Sequence, residues 1–310
     1  MKRMAVVMVA TSLGGCPSIY PRHDPVIPPS APAPIEGLNT EWDDYNAAKP
    51  PGVDEIIFST NRGSQGHDLD VFRATVSWSA SPKALGEPAP YAPQLMSPAD
   101  ERGPLAMSMA DFVDPPMSGS PAVLSYASAR DGGAGGLDLY WAEVSSGILH
   151  PLDHLSSSAN DAYMTYRFGA VMKPRVLFAS DRGGSGYDLF EATWNGYRLG
   201  VAPTSLTKVD PLSSDADDNA PFVARGNDAK TVIVFASKRE GGRGGWDIWC
   251  SHFDGSGYST PVPVTIANSE HDEFRPSIAD ADSRILVFSS NRPGGPGGYD
   301  LYAVAFQGCA

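Results

Sequence analysis

Paired carboxylates stand at Asp43-Asp44, Asp100-Glu101, Asp217-Asp218 and Asp272-Glu273, and a further segment carries Asp161-Ala162 in the corresponding place. Clustered oxygen ligands suit hard cations, so Asp43, Asp100, Asp161, Asp217 and Asp272 are candidate ligands for Ca²⁺ or a docking face for a cationic partner. The competing reading has each aspartate accept backbone N–H bonds within its own turn. An arginine and an aspartate also flank a glycine-rich stretch five times, as Arg62/Asp70, Arg130/Asp138, Arg182/Asp188, Arg239/Asp247 and Arg292/Asp300. A guanidinium can bridge such a hairpin to the carboxylate or to turn carbonyls where glycine leaves the backbone bare. Recurrence in all five copies argues for structural use, because a single active centre needs one copy to differ.

Other catalytic signatures are weak. There is no G-x-S-x-G elbow and no P-loop, and the glycines lie between strands rather than opening a helix. His150 and His154 belong to a loop-like HPLDH stretch. Trp141, Trp194, Trp246, Trp249, Tyr299 and Tyr302 fall at strand positions, where core or blade-interface packing is favoured over a sugar platform.

Each charged site belongs to one recurring unit. Residues 56–72, 123–141, 176–190, 232–249 and 285–302 each read as two apolar strands joined by a glycine-dominated hairpin. An acidic turn precedes each hairpin, and PAPIEGLNTEWDDY at 32–45 superposes without gaps on PVPVTIANSEHDEF at 261–274. Spacings of 50 to 68 residues between the hairpin aspartates suit propeller blades better than solenoid turns. The chain runs out shortly after the third strand of the fifth repeat, while PAPIEGL at 32–38 matches PVPVTIA at 261–267. The expectation is an all-β, five-bladed β-propeller closed by an N-terminal strand, which removes free sheet edges. With 42% hydrophobic residues, 32 Gly and 28 Pro, the chain suits one large all-β core and leaves no room for a second folded domain.

The repeats resemble the TolB-type, WD-like propeller repeats of bacterial envelope proteins. Their pattern is N-x-E-x-D-E-[YF], then F-S-S-N-R, glycines and Y-D-[LI]-Y. Repeat five, NSEHDEF followed by VFSSNRPGGPGGYDLY, matches almost throughout, and the resemblance covers about residues 32–306. Repeat two departs from it, with PADERGP for the acidic turn and a longer segment before its hairpin. The resemblance implies the fold and an envelope location, but members of the family differ in what they bind.

Residues 1–15 read as a lipoprotein signal peptide: Lys2 and Arg3, an apolar run too short to span a bilayer, then Leu13-Gly14-Gly15-Cys16, which looks like a lipobox. Cys16 is the expected lipidation site, and each buried CH₂ of an acyl chain contributes roughly 0.8 kcal/mol to anchoring. Residues 16–31 are a proline-rich tether, and residues 32–310 the propeller. Loss of Lys2 and Arg3 with the leader takes the formal charge from −13 to −15, which argues against nucleic acid as a partner. Cys250 and Cys309 are either a disulfide pinning the C-terminus or two unpaired thiols.

The expected function is a non-catalytic, lipid-anchored envelope protein, facing the periplasm or the cell surface from the outer membrane. Its partner would be an envelope protein or a peptidoglycan-associated component, and the lipid would be its membrane contact. The alternative is a glycoside hydrolase using channel carboxylates, which needs an acid and a base or nucleophile in unequal settings. Against it stands the apparent sameness of the acids from blade to blade.

Overall fold

The computed structural model describes residues 27–50, 54–108, 122–168, 174–194, 200–225, 231–280 and 284–309; Cys16, the signal segment and most of the tether lie outside them. The described strands form five antiparallel sheets arranged as blades around an axis. Blade I comprises Asp44–Ala48, Glu55–Thr60, Asp70–Ser77 and the outer Lys83–Ala84, with Ala89–Pro90 also paired to its third strand. Blade II comprises Glu101–Ser108, Ala122–Ser128, Asp138–Glu143 and Ile148–Pro151. In blade III the strands are Asp161–Phe168, Pro174–Ser180, Asp188–Thr193 and Ser205–Lys208. Blade IV holds Asp218–Arg225, Thr231–Ser237, Asp247–Phe253 and Val262–Pro263. Blade V holds Glu273–Asp280, Ile285–Ser290 and Asp300–Ala305, and Ala33–Pro34 lies antiparallel on its third strand. Repeat two therefore keeps its first strand, Glu101–Ser108, despite its divergent turn.

The second strands are continuous apolar runs because both faces are covered by neighbouring blades. Ile56, Ile57 and Phe58, like Val234, Phe235, Val287 and Phe288, have no exposed surface. One apolar cluster joins Ile35 and Leu38 to Ile56, Phe58, Ile285, Val287 and Leu301, so the N-terminal segment packs at the junction of blades V and I. Asn39 and Leu301 exchange two hydrogen bonds there, at 2.8 and 3.0 Å.

The five first strands line the axis, and each carries a bulge at the same place. Ladder register breaks after Tyr45, Arg102, Ala162, Asn219 and Phe274. The next residue, Asn46, Gly103, Tyr163, Ala220 or Arg275, has a φ between 50° and 62°. A left-handed residue inside an inner strand re-aims its side chain and turns the strand ends inward. These bulges set what the channel contains.

Candidate active site at the channel mouth

The arginines of the repeats do not pair with the hairpin aspartates. Arg62, Arg130, Arg182, Arg239 and Arg292 instead bind Asp44, Glu101, Asp161, Asp218 and Glu273, the second acid of each turn. All five carboxylates are fully buried, and the arginine side chains keep 14–19% exposure. Each guanidinium also donates to a carbonyl of the preceding turn (Leu38, Leu95, Leu155, Leu212, Ala267) and to the hydroxyl ending the second strand. It lies over two aromatic rings, such as Phe235 and Trp249 in blade IV. The carboxylate in turn accepts from the backbone N–H four residues upstream, Thr40, Ser97, Ser157, Ser214 or Ser269. With its oxygens committed to these bonds, this inner ring of acids is structural.

The reason for the misplaced pairing lies in the register. The residue ending the second strand stands opposite the residue opening the first, as Thr60 does to Asp44 and Ser237 to Asp218. The arginine two positions later is thereby brought to the acid 18 to 29 residues upstream. The hairpin aspartates serve the hairpins: Asp138 accepts from Gly135 N–H, Asp247 from Arg243 and Gly244 N–H, and Asp300 from Gly297 N–H. Asp188 instead pairs with Lys208 at 2.8 Å. Burial raises the Asp70 carboxyl and pushes Asp300 up to about 6. Glycine is required here by close approach, since a Cβ on Gly244 would lie 1.9 Å from the His271 carbonyl oxygen of the next turn.

The first acid of each turn forms a second, outer ring, and it ties blade to blade. Its side-chain oxygen accepts the N–H of the residue preceding the hairpin aspartate of the neighbouring blade: Tyr299 to Asp43, Leu69 to Asp100, Tyr187 to Asp217 and Trp246 to Asp272, at 2.8–3.0 Å. In blade III the position is Asn160, whose Oδ1 accepts from Leu137 N–H at 3.0 Å. Asp161, aligned from the sequence with Asp43, therefore belongs one place further on, in the inner ring. The backbone returns the bond each time, from Asp44, Glu101, Asp161, Asp218 and Glu273 N–H to the same neighbours' carbonyls, at 2.7–2.8 Å.

Beyond that shared bond, the outer ring is unequal. Asp100 Oδ2 holds Arg102 at 2.5 Å, and Asp217 Oδ2 holds Lys238 at 3.0 Å. Asp272 Oδ2 accepts from the Tyr299 hydroxyl at 2.9 Å and from Asn291. Asp43 sits at the other end of the same tyrosine, on its backbone N–H. An aromatic cluster joins these groups across the mouth. Tyr45 stacks on Phe274 at 5.6 Å and meets Tyr299 edge-on at 4.8 Å, and Trp246 meets Phe274 at 5.0 Å. Lys238 lies 4.5 Å over Trp246. Burial pushes the Tyr45, Tyr163 and Tyr299 phenols upward, which keeps them neutral hydrogen-bond donors at neutral pH.

Asp43, Asp100, Asp217 and Asp272 thus ring the mouth but are each bound at a separate blade junction. Among the described residues no group of three or more His, Cys, Asp or Glu side chains is placed to hold a metal ion. Cys250 and Cys309 are joined as a disulfide, with Cα atoms 5.3 Å apart, tying the C-terminal segment to blade IV. His150 stacks on Trp141 at 4.4 Å.

Solved structures share this architecture. An endo-arabinase from Bacteroides thetaiotaomicron is 13% identical, with a TM-score of 0.55, and the match covers 91% of this chain and all of that one. A thermostable family-43 glycoside hydrolase is 9% identical at a TM-score of 0.57, covering 88% and 91%. An α-L-arabinofuranosidase from Lactobacillus brevis is 12% identical at 0.50, covering 87% and 91%. What is shared is the five-bladed fold. A putative TolB from Agrobacterium tumefaciens matches at 0.45, too distant to argue from. No protein-family model and no curated protein matches the sequence.

These matches correct the expectation of a non-catalytic protein. Several of the solved structures that share the fold are glycosidases. The argument against catalysis also fails on the geometry, because the sameness of the acids holds for the inner ring and not for the mouth.

Proposed function

We propose that the protein is a glycoside hydrolase acting at the channel mouth, with Asp43 and Asp272 as its working carboxylates. The observation that carries this reading is their placement at the two ends of Tyr299, in different surroundings, beside the Tyr45–Phe274–Trp246 aromatic cluster. Glycoside hydrolysis needs two carboxyl groups in distinct states, one protonating the leaving oxygen and the other activating water or attacking carbon. Aromatic faces beside them suit the apolar face of a sugar ring. Asp100 and Asp217 are the poorer candidates, because each is neutralised by its own cation. The arabinase and arabinofuranosidase neighbours make α-L-arabinofuranosides the first substrates to offer.

The test is release of sugar from arabinan and from aryl α-L-arabinofuranosides. Asp43→Asn and Asp272→Asn should each lower kcat/KM by about 10²–10⁴-fold, the usual contribution of a general acid or base. Both variants should fold, since Asn160 already makes the same interblade bond in blade III. No turnover by the wild-type protein on a panel of glycosides, or full activity in both variants, would sink the reading.

The leader-like first sixteen residues support a second, separate proposal, that this hydrolase works in the bacterial envelope on a lipid attached to Cys16. Cys16→Ser should abolish incorporation of labelled fatty acid, and continued labelling of the variant would remove the anchor.

A further inference from the structure

Beneath the mouth, the channel holds a charge that the described residues do not balance. Arg275, the bulge residue of blade V, is fully buried. Its Nη1 donates to the Pro221 carbonyl at 3.0 Å, its Nη2 reaches the Gly103 carbonyl at 3.4 Å, and its guanidinium lies 5.5 Å over the Tyr163 ring. It therefore spans the axis from blade V to blades II and IV. Among the described residues no carboxylate pairs with it, and its Nε has no hydrogen-bond partner. The equivalent bulge residue of the adjoining strand, Asn46, is also fully buried, and neither Oδ1 nor Nδ2 of its amide finds a partner.

The neighbouring ionisable groups do not supply the missing negative charge. Tyr163 is neutral, its phenol pushed upward by burial, and Arg102 beside it adds a second cation already committed to Asp100. Burial lowers the Arg275 guanidinium to about 10, still well above neutrality, so it remains charged. An ionised group enclosed without a counter-charge is strongly disfavoured, and an unmet amide adds to that. The cost falls away if an anion sits on the free donors.

We propose that the channel centre is a binding site for a small monovalent inorganic anion of the halide class, held by the guanidinium of Arg275 and the amide of Asn46. The site offers one positive charge and N–H donors in full enclosure. That suits chloride or bromide better than sulfate or phosphate, which would bring a second charge and four oxygens needing partners. The anion would lock blades I, II, IV and V about the axis below the mouth.

The experiment uses the full-length protein and bromide as probe. At constant ionic strength, replacing gluconate by bromide should raise the thermal midpoint saturably, as expected of a ligand bound to the folded state alone. Arg275→Met should abolish the rise, and Asn46→Gly, which suits the left-handed backbone, should shift it to higher bromide. Crystals grown with bromide should show an anomalous peak within hydrogen-bond reach of Arg275. A channel without that peak overturns the proposal, as does a bromide-dependent rise retained by Arg275→Met. Should Arg275→Met fail to fold, the presence or absence of the anomalous peak in the wild type decides.

Discussion

The inner and outer acid rings are one residue apart in sequence and opposite in character. Asp44, Glu101, Asp161, Asp218 and Glu273 are buried, each bound to one arginine and one upstream turn, with the same set of bonds in every blade. Asp43, Asp100, Asn160, Asp217 and Asp272 share one interblade side-chain bond and differ in the other partners of those side chains. Repetition marks what the fold needs five times over. Departure from it, at the mouth, marks where one blade does something the others do not.

The largest effect should come from breaking the inner ring where the N-terminal segment supplies it. Arg62 donates to the Leu38 carbonyl, and Ile35 and Leu38 have no exposed surface. Deletion through Leu38 should cost about 3–6 kcal/mol from these two side chains alone, at roughly 1.5–3 kcal/mol each, and it also bares the edge of blade V. Deletion ending at residue 31 should cost far less. Equal denaturation midpoints for the two truncations would show that this segment does not close the ring.

Next in size is the contrast between neighbours in blade IV. Asp218→Ala leaves Arg239 without its buried carboxylate and should lower unfolding free energy by about 3–5 kcal/mol. Asp217→Asn breaks only the half-exposed pair with Lys238, about 0.2–1 kcal/mol, and keeps the interblade bond through its amide oxygen. Urea unfolding of the two variants measures the difference directly, and comparable losses would erase the distinction between the rings.

Five blades were legible because the period is carried by residues the fold cannot replace: the apolar second strand, the glycines pressed against the next turn, and the acid–arginine pair. The identity of that pair was not, because sequence proximity favours the hairpin aspartate while antiparallel register delivers Arg239 to Asp218. The signal was available, since an acid at the second turn position occurs in all five repeats and blade III keeps it as Asp161 after an asparagine. Nothing in DEFRP announced that Arg275 would cross the axis, because that depends on a bulge whose left-handed residue is neither glycine nor asparagine. The unequal mouth was hidden for a related reason. The partners of its acids, Arg102, Lys238 and Tyr299, come from three different repeat positions whose residue types change from blade to blade, Lys238 standing where blades I, III and V have Asn61, Asp181 and Asn291.

A pH experiment tests one hairpin acid, Asp300, by itself. Asp300 is raised by burial from 3.8 to about 6, so its contribution to stability is whole below about pH 4 and is lost as pH rises through 6. Asp300→Asn removes the cost of burying the charge. The variant should therefore gain on the wild type in melting temperature between pH 4 and pH 7, and a difference that is flat across this window would show that Asp300 titrates normally.

The smallest effect should come from swapping residues within the outer ring. Asn160 and the four aspartates accept the same kind of backbone bond, Asn160 at 3.0 Å and the others at 2.8–3.0 Å, so the bond itself does not require charge. Asn160 also donates through Nδ2 to Asp181 at 2.8 Å, and its backbone N–H binds the same carboxylate at 2.7 Å. Asn160→Asp should thus be the costly direction, losing the side-chain donor and setting two carboxylates against each other, at about 1 kcal/mol for the lost hydrogen bond. Asp43→Asn should move stability by no more than about 0.5 kcal/mol, the range of surface changes that break no buried network. Measured together by chemical denaturation, the two swaps ask whether charge at this ring serves the fold. A loss above 2 kcal/mol for Asp43→Asn, well outside the ~0.5 kcal/mol expected, would make the mouth carboxylates structural like those of the inner ring. Near-neutral stability with loss of sugar release would leave their charge with a chemical use alone.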